Sequence, residues 1–179
     1  MAIKKIISGG QAGVDQAALL VATELGILIG GWCPLGGLDE HGFSIFEKYP
    51  LRAVAGLDFV ESVTERKKRN IQDSDGTLII VPPGSGIEAI PDGTVLTVEY
   101  AIEQRKPYLI VPFSSKTDIS QISLWIKENS IKTLNVAGPR ESSFPGIYDS
   151  ACKLFFDLFP QLKSTCIEER PSDSTSLGF

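Results

Sequence analysis

The sequence predicts an α/β protein, with a mostly parallel sheet between two layers of helices. Two observations carry this. Short apolar runs alternate with helical patterns along the whole chain, and that alternation builds βαβ units with a parallel sheet covered on both faces. Each apolar run is also followed by a loop rich in Gly, Pro or Ser. In such sheets, ligands bind outside the carboxyl ends of the strands, where these loops gather.

The elements follow in order. An apolar run at 5–8 is the first strand, closed by Gly9-Gly10, and an apolar-periodic helix at 16–25 follows it. The second strand, 27–31, ends in Gly31-Trp32-Cys33-Pro34, and a shorter extended run at 51–54 adds an edge strand. Helix 61–73 leads into the third strand, 77–81, which ends in Pro82-Pro83-Gly84. Helix 95–104, strand 108–111, helix 119–128, strand 134–137 and helix 148–158 complete the series. One domain is expected over 1–163, the usual size for a single core. The Ser-, Thr- and Pro-containing tail 164–179 is expected to be disordered.

Composition narrows the function classes. A net charge of −5 argues against non-specific nucleic-acid binding, which rests on a basic face. No apolar run approaches the roughly 20 residues that span a bilayer, and no signal peptide is expected at the start of the chain. Cys33, Cys152 and Cys166 have no paired spacing, which fits free thiols in a reducing cytoplasm. His41 is the only histidine, so a His-rich metal site is excluded. As a general base it has no placed nucleophile to serve.

The strongest motif is Ser8-Gly9-Gly10-Gln11-Ala12-Gly13-Val14-Asp15. It reads as strand, glycine turn and helix. Glycine lets the backbone approach a ligand closely, and a helix start offers unpaired N–H groups and partial positive charge to an anion. The motif is neither the dinucleotide fingerprint nor a P-loop, because the glycine spacing and the Gly-Lys-Ser/Thr ending are both missing. A bare βα turn is the alternative. A second helix start at Gly93-Thr94 places Thr94, Thr97 and Ala101 on one face. The hydroxyl of Thr94 serves either as a cap or as an anion ligand.

Cations complete the picture. Arg66-Lys67-Lys68-Arg69 lie on the helix before a central strand, and one arginine can reach the cleft from the side. Arg140 follows the last strand in Gly138-Pro139-Arg140. Arginine suits bidentate phosphate recognition. Cys33 is a soft ligand or a buried structural thiol. Trp32 is read as a packing residue and Asp75 as a turn or cap residue. Asp15 and Glu99 are the nearest carboxylates, open to a ring N–H, to Mg²⁺ or to capping their own loops.

These motifs resemble the proposed molybdenum cofactor carrier protein family. The likeness rests on Ser8 to Asp15, Gly30-Gly31-Trp32-Cys33-Pro34, Arg66…Asn70…Ser74-Asp75-Gly76-Thr77-Leu78, and Asn135-Val136-Ala137-Gly138-Pro139-Arg140. It runs from about Lys4 to about Phe159. The resemblance implies a Rossmann-like three-layer α/β/α fold and a homodimer or homotetramer. It implies binding of molybdopterin, a phosphate-bearing pterin that holds molybdenum, and transfer of that cofactor to recipient molybdoenzymes. The expected binding set is Ser8, Gly9, Gly10, Gln11, Asp15, Cys33, Arg66, Ser74, Gly93, Thr94, Thr97, Gly138 and Arg140.

A wider likeness bears on catalysis. The stretch from Glu65 to Thr94 is similar to the lysine-decarboxylase-like phosphoribohydrolases, which act on nucleoside monophosphates. Arg66 matches their upstream arginine, but Thr97 stands where they carry a catalytic glutamate. Threonine cannot serve as a carboxylate in glycosidic cleavage. Glu99, about 200° further around the helix, would point away. The resemblance therefore implies holding a ligand rather than cleaving it, with a phosphoribohydrolase or a nucleotide-sensing module as the rival readings.

Overall fold

The computed structural model describes residues 2–56, 58–82, 94–114 and 117–163. The expectations placed on Gly93, on the rest of the 83–93 loop and on the tail 164–179 lie outside the described residues.

Five strands form one parallel sheet: β1 (Lys5–Ile7), β2 (Leu28–Gly30), β5 (Gly76–Val81), β6 (Tyr108–Pro112) and β7 (Thr133–Ala137). Their spatial order is β2-β1-β7-β5-β6. Counted from β7 as the first strand, this order reads 3-2-1-4-5, the Rossmann arrangement. The last strand of the chain thus occupies the place that a Rossmann chain gives to its first.

The run at 51–54 does not join this sheet. Its core, β4 (Arg52–Ala53), pairs in parallel with β3 (Trp32–Cys33) as a separate two-stranded ribbon. The reason lies at Gly31, which breaks the expected strand 27–31. Gly31 has φ 131°, and a Cβ there would stand 2.2 Å from the Ser8 carbonyl oxygen. The chain turns off the sheet at this point and begins a new ribbon.

The helices are α1 (Val14–Glu24), α2 (Phe59–Gln72), α3 (Thr94–Glu103), α4 (Ile119–Glu128) and α5 (Ile147–Leu162). On one face α5 packs against both α1 and α4, and on the other α2 meets α3. The two faces are legible in β5, which is buried throughout. Leu78 and Ile80 join the large core with Val14, Ile122, Phe155 and Phe159. Ile79 and Val81 join a smaller core with Val98 of α3. A strand buried on both faces must be apolar at consecutive positions, which explains the unbroken run Leu78-Ile79-Ile80-Val81.

Local signals set the helix ends. Asp58 and Glu61 form a reciprocal capping box at α2. Asp118 accepts from the Ser120 and Gln121 N–H groups at α4. At α5, Gly146 takes φ 86°, and the Glu141 carboxylate receives the N–H groups of Gly146 and Tyr148 at 2.5 and 2.9 Å. Asp75 receives the N–H groups of Lys132 and Thr133 at 2.9 and 2.8 Å, so it anchors the start of β7.

Candidate functional site

A cleft of about 520 Å³, open mouth included, lies beyond the carboxyl ends of β1 and β7. Gly9, Gln11, Ala12 and Asp15 form one wall, and Asn135 to Arg140 form another. Arg66, Lys67 and Asn70 enter from α2, and Thr97 enters from α3.

The floor is a buried ion pair. Arg66 Nη1 lies 3.4 Å from Asp15 Oδ2, and their side chains are 7% and 10% exposed. The pair lies directly over Gly9. A Cβ on Gly9 would stand 1.7 Å from Arg66 Nη1 and 2.8 Å from Asp15 Oδ2. Glycine is therefore needed here for space. Arg66 Nε is buried and finds no hydrogen-bond partner among the described residues. A buried guanidinium with an unspent donor is costly unless something else meets it.

Asp15 also accepts the Gln11 N–H at 3.4 Å on Oδ2. Burial pushes the Asp15 carboxyl above its ordinary value, opposed by the Arg66 charge and by the Gln11 N–H. Burial likewise draws Arg66 down, opposed by Asp15. Arginine nevertheless stays charged in proteins. A neutral Asp15 would leave that charge buried and unpaired, which favours the ionic form of the pair.

The cleft lining carries three cations, Arg66, Lys67 and Arg140, against one carboxylate, Asp15. The chain as a whole is acidic, at −5. Positive charge is thus concentrated inside this cleft. A recess lined by one sign of charge focuses the field on ligands of the other sign.

The structure places the expected residues unevenly. Gly9, Gln11, Asp15, Arg66, Thr97, Gly138 and Arg140 line the cleft together. Ser8 lies beneath it, fully buried, with its hydroxyl donating to the Val136 carbonyl at 2.7 Å. Gly10 is turned to the other side, where its carbonyl accepts from Gln16 Nε2 at 3.1 Å. Thr94 is the first residue of α3.

Two expected site residues fall elsewhere. Cys33 is fully buried in a satellite core with Leu19, Ile45, Tyr49 and Leu51. Burial raises its thiol, with the Arg66 charge opposing, and no face of it reaches the cleft lining. Ser74 precedes β5 and so sits at the opposite end of the parallel sheet. Its hydroxyl donates to the Ile71 carbonyl at 2.9 Å, where α2 ends.

The start of α1 also differs from expectation. Its N–H groups are already engaged: Val14 with Pro139 O, Gln16 with Gln11 O and Ala17 with Gly13 O. Asp15 supplies negative charge in the first turn. The chain provides its own anion there, and the side chains of α2 and the loop after β7 carry the positive charge of the cleft.

Asn70 and Asn135 belong to the motifs quoted from the sequence but not to the expected binding set, and both line the cleft. Asn70 Oδ1 accepts the Trp32 N–H at 2.8 Å and Nδ2 donates to the Trp32 carbonyl at 3.0 Å. This two-point clamp ties α2 to β3 and fixes the helix that carries Arg66. Asn70 is one helical turn from Arg66, a spacing that puts both on one face. Asn135 Nδ2 donates to Thr77 Oγ1 at 3.2 Å, across the pairing of β7 with β5.

The other cations of α2 are committed to packing. Arg69 and Arg52 both stack on Trp32, with guanidinium carbons 4.6 and 4.5 Å from its ring centre. Lys68 lies over Tyr100 at 4.7 Å. Thr97 is buried while Glu99 is exposed, which matches the helical spacing argument. Among the described residues, no group of three or more His, Cys, Asp or Glu side chains is placed to hold a metal. Asp15 is instead engaged with Arg66.

Fold and site together define a Rossmann-type α/β protein with a cationic ligand cleft at the carboxyl rim of its sheet. The chain matches the circularly permutated YpsA SLOG family over residues 6–159, and it belongs to that family. The permutation is visible in the sheet, where β7 takes the first Rossmann position. Among solved structures, a protein from Syntrophus aciditrophicus SB named "Putative molybdenum carrier protein" is 37% identical, with a TM-score of 0.73. That match covers 88% of this chain and 95% of the other. No curated protein sequence matches significantly. No helix among the described residues is long and apolar enough to cross a membrane.

Proposed function

We propose that this chain binds a phosphate-bearing pterin, the molybdenum cofactor, and holds it for transfer to recipient molybdoenzymes in the cytoplasm. One observation carries the reading: Arg66 is buried at the floor of the cleft with an unspent Nε donor, beside Lys67 and Arg140. That donor set suits a terminal phosphate or another oxyanion. The name of the Syntrophus protein favours a molybdenum-bearing ligand over a nucleotide.

The residues present fit such a ligand at its phosphate end. Arg66, Lys67 and Arg140 supply charge, Gly9 leaves room, and Asn135 and Thr97 supply polar contacts. The cofactor's own chemistry is oxygen-atom and electron transfer in the enzymes that receive it. This chain needs only to bind the cofactor, orient it and exclude water. Thr97 provides no carboxylate for glycosidic cleavage, which supports carriage over hydrolysis. Exposed Phe43, Phe46, Phe59 and Val60 offer apolar surface for a homodimer or homotetramer.

The test is to purify the protein from cells supplied with molybdate and to measure bound molybdenum and oxidised-pterin fluorescence. Both should co-purify. Absence of both, with no uptake of added cofactor, contradicts the reading. Release of free base from AMP at an ordinary enzymatic rate would favour the phosphoribohydrolase instead.

A further inference from the structure

We infer that the recess beside Tyr148 is a second subsite, which takes the uncharged, N–H-bearing heterocycle of the same ligand whose phosphate lies in the cationic cleft. The inference rests on the proposed function above and deepens it.

The two hollows share a wall, for Ala12 lines both. Between them runs a ridge one backbone pair thick. There Gly13 bridges Arg140, and the N–H groups of Val14 and Glu141 donate to Pro139 O and Ala12 O at 3.2 and 3.1 Å. Arg140 lines the cationic cleft and Glu141 lines the recess. Ala12 brings only a methyl to the shared wall and Gly13 brings no side chain, so a ligand can lie across it. The hollows differ in size. Counted without its open mouth, the cationic cleft has a cavity volume of about 40 Å³ and the recess one of about 340 Å³. A water takes roughly 10–15 Å³ on this measure. The cleft has room for a phosphate group, and the recess has room for a bicyclic ring.

The linings also differ in sign. The recess carries two carboxylates, Glu141 and Asp149, against one cation, Lys48. The cleft carries three cations against one carboxylate. Opposite fields in neighbouring hollows orient a ligand that is anionic at one end and rich in N–H donors at the other. Glu141 is committed to the N–H groups of Gly146 and Tyr148, so the carboxylate that the recess offers a ligand is that of exposed Asp149. A carboxylate accepts two parallel N–H bonds, the pattern that the aminopyrimidinone edge of a pterin presents. Tyr148 packs against the main core and also lines the recess, so its ring is held in place there. A fixed aromatic side chain suits a flat heterocycle, whose face can stack on it.

The test titrates three probes into the protein by calorimetry at neutral pH: neopterin phosphate, neopterin without its phosphate, and inorganic phosphate. The wild type should bind neopterin phosphate at least about tenfold more tightly than inorganic phosphate, the gain coming from the ring. Asp149→Asn should weaken both neopterin probes about fivefold, and Tyr148→Leu should weaken them about tenfold. Inorganic phosphate should stay within about twofold in both variants, because it touches neither residue. Asp149 is exposed, so Asp149→Asn decides the matter even where Tyr148→Leu fails to fold. A ring gain that is absent from the wild type, or that survives intact in Asp149→Asn, overturns the subsite and leaves the anion cleft standing. An equal loss for neopterin phosphate and inorganic phosphate in Asp149→Asn does the same. If the wild type binds neither phosphate probe, the proposed function falls together with this inference.

Discussion

Arg66 and Asp15 meet over Gly9, with Nη1 and Oδ2 3.4 Å apart and almost no solvent between them and the core. Residues far apart in the chain are brought together here: α2 delivers the arginine, and the first turn of α1 delivers the carboxylate. The site depends on both and on the glycine beneath them.

Gly9→Ala tests that dependence. The new Cβ would overlap Arg66 Nη1, so the guanidinium must move or the strand end must shift. Overpacking of this kind costs about 1–3 kcal/mol. Urea unfolding should show the loss as a lower midpoint, and ligand binding should fall with it.

Arg66→Gln should be more severe. It leaves Asp15 buried without its counter-charge, a loss of about 3–5 kcal/mol for a broken buried pair. Adding Asp15→Asn should recover much of that stability, because the uncompensated charge goes too, yet it should not restore ligand binding. Equilibrium unfolding of the two single variants and the double variant measures the coupling.

The pH dependence of stability has a definite sign. Burial raises Asp15 above its ordinary 3.8, with Arg66 opposing. Between 3.8 and the folded value, the folded chain holds a proton that the unfolded chain has released. The contribution of Asp15 to stability is therefore fully present below that window and falls as pH rises through it. This is opposite to the usual salt-bridged carboxylate. Subtracting the unfolding profile of Asp15→Asn from that of the wild type should isolate the falling limb.

Tyr148 gives an independent optical check. Burial, with smaller pushes from Cys152 and Tyr49, raises its phenol from 10.0 to about 12. Its phenolate absorbance should appear later in an alkaline titration than that of an exposed tyrosine, and Tyr148→Phe should shrink that late step, which burial of Tyr49 also feeds. The stability it contributes is lost as pH rises from 10.0 towards about 12.

Asn70→Ala should separate positioning from contact. It strands the N–H and carbonyl of Trp32 and costs about 1–3 kcal/mol for each buried group left unmet. It should weaken anion binding without removing any cation. Asn70→Asp restores the acceptor for the Trp32 N–H but not the donor for its carbonyl, so it should recover only part of the lost stability.

Much of this architecture was legible in the chain. The expected strands and helices correspond to the observed sheet and to all five helices, because buried parallel strands and amphipathic helices leave different periods. What failed did so for tertiary reasons. The break at Gly31 comes from the approach of the Ser8 carbonyl, which no local pattern records. Cys33 follows a strand in sequence, but that strand belongs to the small ribbon and turns its thiol into the satellite core. Ser74 lies close in sequence to cleft-lining Asn70, yet the end of α2 carries it to the other rim. Arg66 was one of four adjacent cations. Its burial became visible only once Gly9 and Asp15 were placed under it, and Asn70, quoted in a motif, gained a physical role only once Trp32 was brought to it.

The most direct test compares wild type with Arg66→Gln, both purified from molybdate-supplied cells in the presence of a stabilising osmolyte. Bound molybdenum and phosphate-bearing pterin are then assayed per folded chain. The account expects both in the wild type and neither in the variant. Equal ligand content in the two proteins, or none in the wild type, would contradict it.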